Sequence, residues 1–197
     1  LYVSLLLPLL VIAVEERVGP TTSVGSVTTS VIIHAPRSLV WESIKNVRDI
    51  HPEEIPSHVV HVIGVPKPLD GRLDRDGVGG VRSITWEKGM HFREVMTAWH
   101  EGWGYDYDID VDPTSIPPTT LDEHVVVGGE YFDVLDGTER IDSIAPALCR
   151  VTLRCRYRVT TTFNFYCRWL ADYLINDFNE VILEVIRRRC EANLTVR

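Results

Sequence analysis

The sequence predicts an α+β domain in which a seven-stranded antiparallel sheet wraps around a long C-terminal helix. Several segments of the 197-residue chain alternate apolar and polar residues with a period of two, which is typical of strands with one buried face. From Asn164 to about Glu191 the apolar residues recur at helical spacing instead. A helix of that length is about 42 Å long, and the concave face of the sheet is the only surface large enough to cover its apolar stripe.

The first third of the chain predicts one strand, two short helices and a second strand. Alternation over 26–33 predicts the first strand. Pro36 then stands where a helix can start without losing a needed hydrogen-bond donor, and helical spacing follows it. Pro52 and Pro56 break this region into a second, shorter helical turn. A second strand is predicted over about 58–65.

The centre of the chain predicts three strands, and the last of them has two very different faces. A loop through 66–80 leads into a strand over 81–86, and a turn leads into strands over 91–99 and 103–111. The apolar face of the 103–111 strand holds Trp103, Tyr105, Tyr107, Ile109 and Val111, whereas Asp106, Asp108 and Asp110 form its polar face. The sequence therefore predicts a strand with one solvent-exposed face.

Glu94 is the unusual residue of the preceding strand. It shares a face with Phe92, Met96 and Ala98, so alternation places a carboxylate on the apolar side of the sheet. A buried carboxylate is costly unless a ligand, an arginine or trapped water meets it. We therefore expect Glu94 to mark a functional cavity.

The last two strands lead into the C-terminal helix. A strand over about 129–143 is interrupted near Gly137, where a bulge is expected. The next strand, over about 149–159, places cysteines, tyrosine and aliphatic residues on one face and a stripe of arginines on the other. The arginine stripe consists of Arg150, Arg154, Arg156 and Arg158. It is interpreted as a solvated face balanced by Asp106, Asp108 and Asp110, and a docking surface for an acidic partner or lipid headgroups is the alternative.

Composition excludes several classes of protein. The net charge of −8 argues against general nucleic-acid binding, which needs a surplus of basic residues. The 197 residues suffice for one substantial core. Neither zinc-ligand spacing nor a nucleophile motif is present in the sequence, so no metal and no cofactor are predicted. The four cysteines are expected to be reduced, although pairing between different elements stays open.

The N-terminal segment is uncharged and apolar from Leu1 to Val14, and charged residues follow at once. Three interpretations stay open: part of a transmembrane helix, the apolar core of a signal peptide, or a helix docked on the domain. The first predicts a membrane-associated protein, and the alternative is a soluble cytoplasmic one. A linker rich in Thr, Ser and Gly is predicted over 19–26, so the domain division is 1–22 and 23–197.

The order of elements resembles the helix-grip superfamily, also called START-like, SRPBCC or polyketide cyclase/dehydrase-like. The resemblance spans about 23–191 and is carried by Ala35-Pro36 with Val40-Trp41, by the segment Gly77-Val78-Gly79-Gly80-Val81-Arg82, by Glu94-Val95, and by the arginine-rich strand that runs into the long helix. The resemblance implies a cavity between sheet and helix that takes a lipid, a polyketide or a quinone-like molecule. Only some members are catalysts, and in ligand-binding relatives a carboxylate at a position like Glu94 faces the cavity.

Two functions are therefore expected. The first is the binding of a hydrophobic or amphipathic small molecule, and the alternative is a cyclase or dehydratase with Glu94 as general acid or base. The predicted cavity residues are Arg82, Ile84, Trp86, Phe92, Glu94, Met96, Trp103, Tyr105, Tyr107, Tyr157, Tyr166 and Leu170. The aromatic residues among them either line a cavity or fill the core. Loops over 70–80 and 112–124 are predicted to close over the entrance.

Overall fold

The computed structural model describes residues 19–111 and 127–195. The strands are β1 (Thr21–Ile33), β2 (Pro68–Leu73), β3 (Val81–Trp86), β4 (His91–His100), β5 (Gly104–Asp110), β6 (Phe132–Ala145) and β7 (Leu148–Thr161). The helices are α1 (Arg37–Lys45), α2 (Val59–Val62) and the long α3 (Asn164–Thr195), with short 3-10 turns at Pro52–Glu54 and Glu87–Gly89.

One seven-stranded sheet holds all the strands in the order β1-β7-β6-β5-β4-β3-β2. Every neighbouring pair is antiparallel, and β1 pairs with β7 along its whole length from Thr21–Thr161 to Ile33–Cys149. The helix α3 lies against the sheet, mainly over β1 and β7, while α1 and α2 pack against α3. The predicted class, an α+β fold with a sheet around a long C-terminal helix, is confirmed.

The main core lies where α1 and the second half of α3 meet the sheet. Ile33 and Ile44 are completely buried there, as are Val181 and Val185 of α3. A smaller cluster around Tyr157 packs against Ala171 and Ile175 in the first half of α3. The two halves of α3 therefore differ in how they are covered.

The predicted second strand over 58–65 is wrong, because this segment contains α2. Asp177 of α3 determines the local structure: its Oδ2 accepts a hydrogen bond from the Val60 N–H at 2.8 Å, and His58 Nδ1 lies 3.0 Å from its Oδ1. A carboxylate that satisfies a free N–H at the start of a helix favours that helix over a strand.

The second strand of the sheet lies instead at Pro68–Leu73, in the region predicted as a loop. β2 is the edge strand next to β3, so Pro68 costs no ladder hydrogen bond on its open side. The predicted lid over 70–80 is thereby reduced to 74–80, and backbone hydrogen bonds from Gly79 and to Gly80 tie that turn to Met96. The predicted lid over 112–124 lies outside the described residues.

The predicted linker over 19–26 is also corrected, because β1 begins at Thr21. Thr and Ser are common in linkers, yet these residues pair with β7, and alternate positions such as Gly25 and Val27 are buried. The N-terminal segment from Leu1 to Val14 lies outside the described residues. Across residues 19–111 and 127–195, no helix combines the length and the apolar character needed to span a membrane.

The arginine stripe of β7 pairs with acidic residues of the neighbouring strand. Arg156 lies 3.0 Å from Asp136, and Arg158 lies 3.9 Å from Asp133. The balancing charge thus comes mainly from β6, while Asp106 of β5 pairs with Arg140. All four cysteines are free thiols, as the sequence predicts.

Candidate functional site

A cavity of about 500 Å³ lies between the sheet and the first half of α3. Its walls are mostly apolar. The sheet contributes side chains such as Ile84, Trp86, Phe92, Val134, Leu153 and Cys155, and α3 contributes Cys167, Leu170, Ala171, Leu174, Ile175 and Phe178. This volume lies within the range of small-molecule sites, which is about 300–1,000 Å³.

Aromatic rings make up one wall of the cavity. Phe178 of α3 stacks on Trp86 of β3 with ring centroids 4.9 Å apart, and Phe92 of β4 meets Trp86 edge-on at 5.4 Å. These contacts join helix and sheet on one side of the space. Ring packing therefore fixes α3 to the sheet at this side wall of the cavity.

Arg82 is the centre of a buried polar cluster on the cavity wall. The Nε of Arg82 donates a short hydrogen bond to Glu94, and its second terminal nitrogen donates to Glu139 at 3.0 Å. The remaining terminal nitrogen donates to the Ile44 carbonyl at 2.8 Å and to the Tyr105 hydroxyl at 2.5 Å. Only 5% of Arg82 is exposed, so the guanidinium is surrounded by protein partners.

The cluster contains one cation and two carboxyl groups. Burial raises the pKa of Glu94, and the charge of Arg82 opposes that rise only in part. Burial alone would lower the pKa of Arg82, but the negative charge of Glu94 and its neighbours holds it well above its usual value. A cluster with an extra carboxyl group favours retention of a proton, and Glu94 is the group whose pKa moves in that direction.

Two polar atoms on cavity residues have no hydrogen-bond partner within the described part of the chain. They are Trp86 Nε1, a donor, and Glu139 Oε2, an acceptor. Buried polar groups are nearly always paired in folded proteins, so this donor and this acceptor on the cavity wall are suited to a hydrogen-bonding partner inside the cavity. A polar ligand group is one way to supply the missing partner.

Tyr107 lies on the same wall and depends on a glycine in the next strand. Tyr107 pairs with Gly137 across β5 and β6, and a Cβ at Gly137 would collide with the phenol ring. Gly25 has the same relation to Tyr157. Glycine in these strands therefore makes room for a ring that lies across the sheet.

Seven of the twelve predicted cavity residues line the cavity: Arg82, Ile84, Trp86, Phe92, Glu94, Tyr107 and Leu170. The prediction was wrong for Met96, Trp103, Tyr105, Tyr157 and Tyr166, which do not line it. Met96, Tyr105 and Tyr157 are at most 1% exposed and fill the core. The Tyr105 hydroxyl donates to the Ile44 carbonyl at 2.8 Å. Because Arg82 donates to both of these groups, Tyr105 helps to position the guanidinium.

The other two wrong assignments have local causes. Trp103 precedes β5 in the turn after β4 and is 48% exposed, with the Arg37 guanidinium 3.8 Å from its ring. Tyr166 is 53% exposed because the cavity-facing side of α3 passes through Cys167 and Leu170. A single apolar stripe on the helix could not show which half of it faces the cavity.

Glu139 is the important residue that the sequence reasoning missed. It is 3% exposed and carries the second carboxyl group of the cluster. A signal was present: Glu139 alternates with Gly137 and Ile141, so it shares the apolar face of β6 in the same way that Glu94 shares that of β4.

A second group of side chains lies outside the cavity. Ligand atoms of His58, Asp177 and Glu180 lie within 4.8 Å of one another. Asp177 already accepts hydrogen bonds from the Val60 N–H and interacts with His58, while Glu180 accepts one from Asn176. These contacts hold α2 against α3, which accounts for the group structurally.

The antiparallel sheet around the long α3, with the cavity between them, is the helix-grip fold. Solved structures with this fold are similar over most of the chain. The Zhui aromatase/cyclase from Streptomyces sp. R1128 has a TM-score of 0.56 at 14% identity, covering 87% of this chain and 96% of the other. TTHA0849 from Thermus thermophilus has a TM-score of 0.54 at 17% identity, covering 86% and 99%.

A third similar structure is Ara h 8.0201, with a TM-score of 0.53 at 13% identity and coverage of 87% and 100%. No family model matches the sequence, and no curated protein matches it. At these identities the similarity establishes the fold alone.

Proposed function

We propose that this domain binds a hydrophobic or amphipathic small molecule, of lipid, polyketide or quinone-like character, in the cavity between the sheet and α3. The observation that carries the proposal is an apolar cavity of about 500 Å³ with a buried Arg82–Glu94–Glu139 cluster on its wall. An apolar body would gain from the aliphatic and aromatic lining. A hydrogen-bonding group on it would meet the polar cluster.

The polar end of the cavity favours a ligand with an uncharged or cationic polar group. Arg82 is already engaged by two carboxyl groups and by two neutral acceptors, Tyr105 and Ile44. It has little capacity left for a ligand carboxylate. A ligand carboxylate beside Glu94 and Glu139 would also be repelled in a site of low dielectric.

Cavity filling tests the proposal directly. Ala171 lies on the cavity wall in α3, so Ala171→Phe places a ring in the space that the ligand needs. Binding of a fluorescent fatty alcohol should weaken by about tenfold or more, since at least 1.4 kcal/mol of apolar contact is lost. Ala145→Phe, on an exposed part of β6, is the matched control and should bind as the unmodified protein does.

Native mass spectrometry and solvent extraction of the purified protein identify the ligand class. A co-purifying apolar molecule that is present in the Ala145→Phe protein and absent from Ala171→Phe supports binding in the cavity. Equal binding by both variants would place the probe elsewhere and contradict the proposal.

The alternative is a cyclase or dehydratase in which Glu94 acts as general acid or base. The observation in its favour is the raised pKa of Glu94, caused by burial, in a residue that lines the cavity. Against it, Arg82 already holds the carboxyl group in a hydrogen bond. Under the binding proposal Glu94→Gln changes affinity alone, whereas under the alternative it abolishes turnover of a bound ligand while binding persists.

A further inference from the structure

We propose that the first turns of α3 rest on a lipid bilayer through four exposed aromatic side chains. These side chains, the aromatic stripe, are Phe165, Tyr166, Trp169 and Tyr173, which are 79%, 53%, 63% and 47% exposed. Neighbouring members of the stripe are in ring contact, with centroids 6.1 Å apart for Tyr166–Trp169 and 6.5 Å apart for Trp169–Tyr173. Tyr166, Trp169 and Tyr173 therefore form one continuous surface, and Phe165 precedes it in the first turn of α3.

The size of this surface sets it apart from scattered exposed side chains. At about 150–250 Å² for each fully covered aromatic residue, the exposed fractions add up to roughly 500 Å². The largest apolar patch on a monomeric protein is about 300–600 Å² and often has a function. A patch of this size, built almost entirely from rings, indicates an apolar partner.

The N-terminal segment leaves the domain beside the aromatic stripe. The Asn164 side chain, at the start of α3, donates hydrogen bonds to the Thr21 carbonyl at 2.6 Å and to the Thr21 hydroxyl at 2.8 Å. Thr21 is the first residue of β1, so the chain that precedes it departs next to Phe165. The uncharged run from Leu1 to Val14 is thus joined to the domain at the same corner.

A bilayer accounts for both features better than the other occupants do. The run from Leu1 to Val14 is apolar without a polar face, so packing it on the stripe would leave its other sides in water. A second copy of the chain would cover the aromatic stripe but would leave the apolar run from Leu1 to Val14 unexplained. Tyr and Trp side chains are suited to the membrane–water interface, where one end is apolar and the other is wet. A zwitterionic bilayer is the appropriate partner, because the chain carries a net charge of −8.

The arrangement also places the cavity close to the lipid. Cys167, Leu170, Ala171 and Leu174, on the other side of the same turns, line the cavity. One helix thus separates the aromatic stripe from the interior. If the proposed function holds, an apolar ligand would have a short path between bilayer and cavity.

Fluorescence of Trp169 in the full chain tests the docking. Trp169→Phe provides the background to subtract, and the probe is vesicles of phosphatidylcholine with or without brominated acyl chains. The Trp169 signal should shift to shorter wavelength on binding, lose intensity to brominated lipid, and be quenched severalfold less by aqueous acrylamide. Trp103 is the matched control, because it is also half-exposed but lies at the turn between β4 and β5. Its signal, isolated with Trp103→Phe, should not respond.

Three results would overturn the proposal. In the first, the chain binds vesicles but Trp169 stays as accessible to acrylamide as before, and the N-terminal segment alone makes the contact. In the second, Trp169 is shielded without lipid and becomes accessible when residues 1–14 are deleted, and the N-terminal segment covers the aromatic stripe. In the third, Trp169 is shielded only as the protein concentration rises, and a second copy of the chain covers it. Ligand binding by Ala171→Phe is independent of all three, so failure of docking and failure of the proposed function are distinguishable.

Discussion

Removing the charge of Arg82 is the most direct test of the buried cluster. Arg82→Met keeps an unbranched side chain as far as the position of Nε, but it leaves Glu94 and Glu139, 12% and 4% exposed at their side chains, without their cation. Breaking a buried ion pair by removing one partner costs about 3–5 kcal/mol. For a domain of this size each kcal/mol lowers Tm by about 2–4 °C, so a fall of roughly 6–20 °C is expected. The Ile44 carbonyl remains paired with the Tyr105 hydroxyl, so it adds little to the loss.

Urea unfolding at several pH values separates this electrostatic cost from lost packing. Without Arg82 the two carboxyl groups favour their protonated forms, so the deficit of Arg82→Met should be largest at neutral pH and shrink as the pH falls. Arg93→Met is the control: Arg93 and Asp110 are 3.4 Å apart, and both side chains are about 60% exposed. That pair should contribute less than about 1 kcal/mol. Equal effects of the two substitutions, or a deficit that does not change with pH, would refute the reasoning.

Two further predictions concern the sheet and the helix. Gly137→Ala should destabilise the fold by about 1–3 kcal/mol in urea unfolding, because the new methyl group displaces the Tyr107 ring, whereas Gly19→Ala, with open space around it, should be neutral. A hydrogen bond from Arg189 lowers the pKa of Glu54, so this pair stabilises the fold at neutral pH and loses its effect as the pH falls through the lowered pKa. Glu54→Gln should therefore be less stable than the unmodified protein at pH 7, and the difference should vanish in acid. A constant difference across pH would contradict that assignment.

Side-chain alternation predicted the strands that matter for the cavity. It placed Glu94 on the inner face of β4, and the structure shows that carboxyl group on the cavity wall. The same rule failed at Trp103, because Gly102 and Gly104 have positive φ values of 77° and 144° and turn the chain before β5 begins. A pattern of period two holds only within a strand, and the sequence does not mark where the strand starts.

The other failures arose from contacts between distant parts of the chain. The segment at 58–65 has the composition of a strand, but it becomes a helix because Asp177, far along the chain, accepts a hydrogen bond from Val60. Likewise the partner of Glu94 could not be read from sequence spacing alone. Arg82 reaches it because the two residues pair directly across β3 and β4. Local pattern limits which face a residue occupies, whereas register decides what it meets there.

The difference between the two halves of α3 explains why this fold has a cavity where it does. The second half carries Val181, Leu183, Val185, Ile186 and Cys190, all at most 2% exposed, and α1 packs against it to complete the core. The helix α2 is hydrogen-bonded to α3 at Asp177, whereas the turns from Asn164 to Tyr173 show aromatic rings outside and face the cavity inside. Fewer buried contacts make this part of the helix the easier one to move. Entry of an apolar molecule requires such a segment, and the aromatic stripe lies on its outer side, so the same part of α3 serves the binding and the membrane proposals.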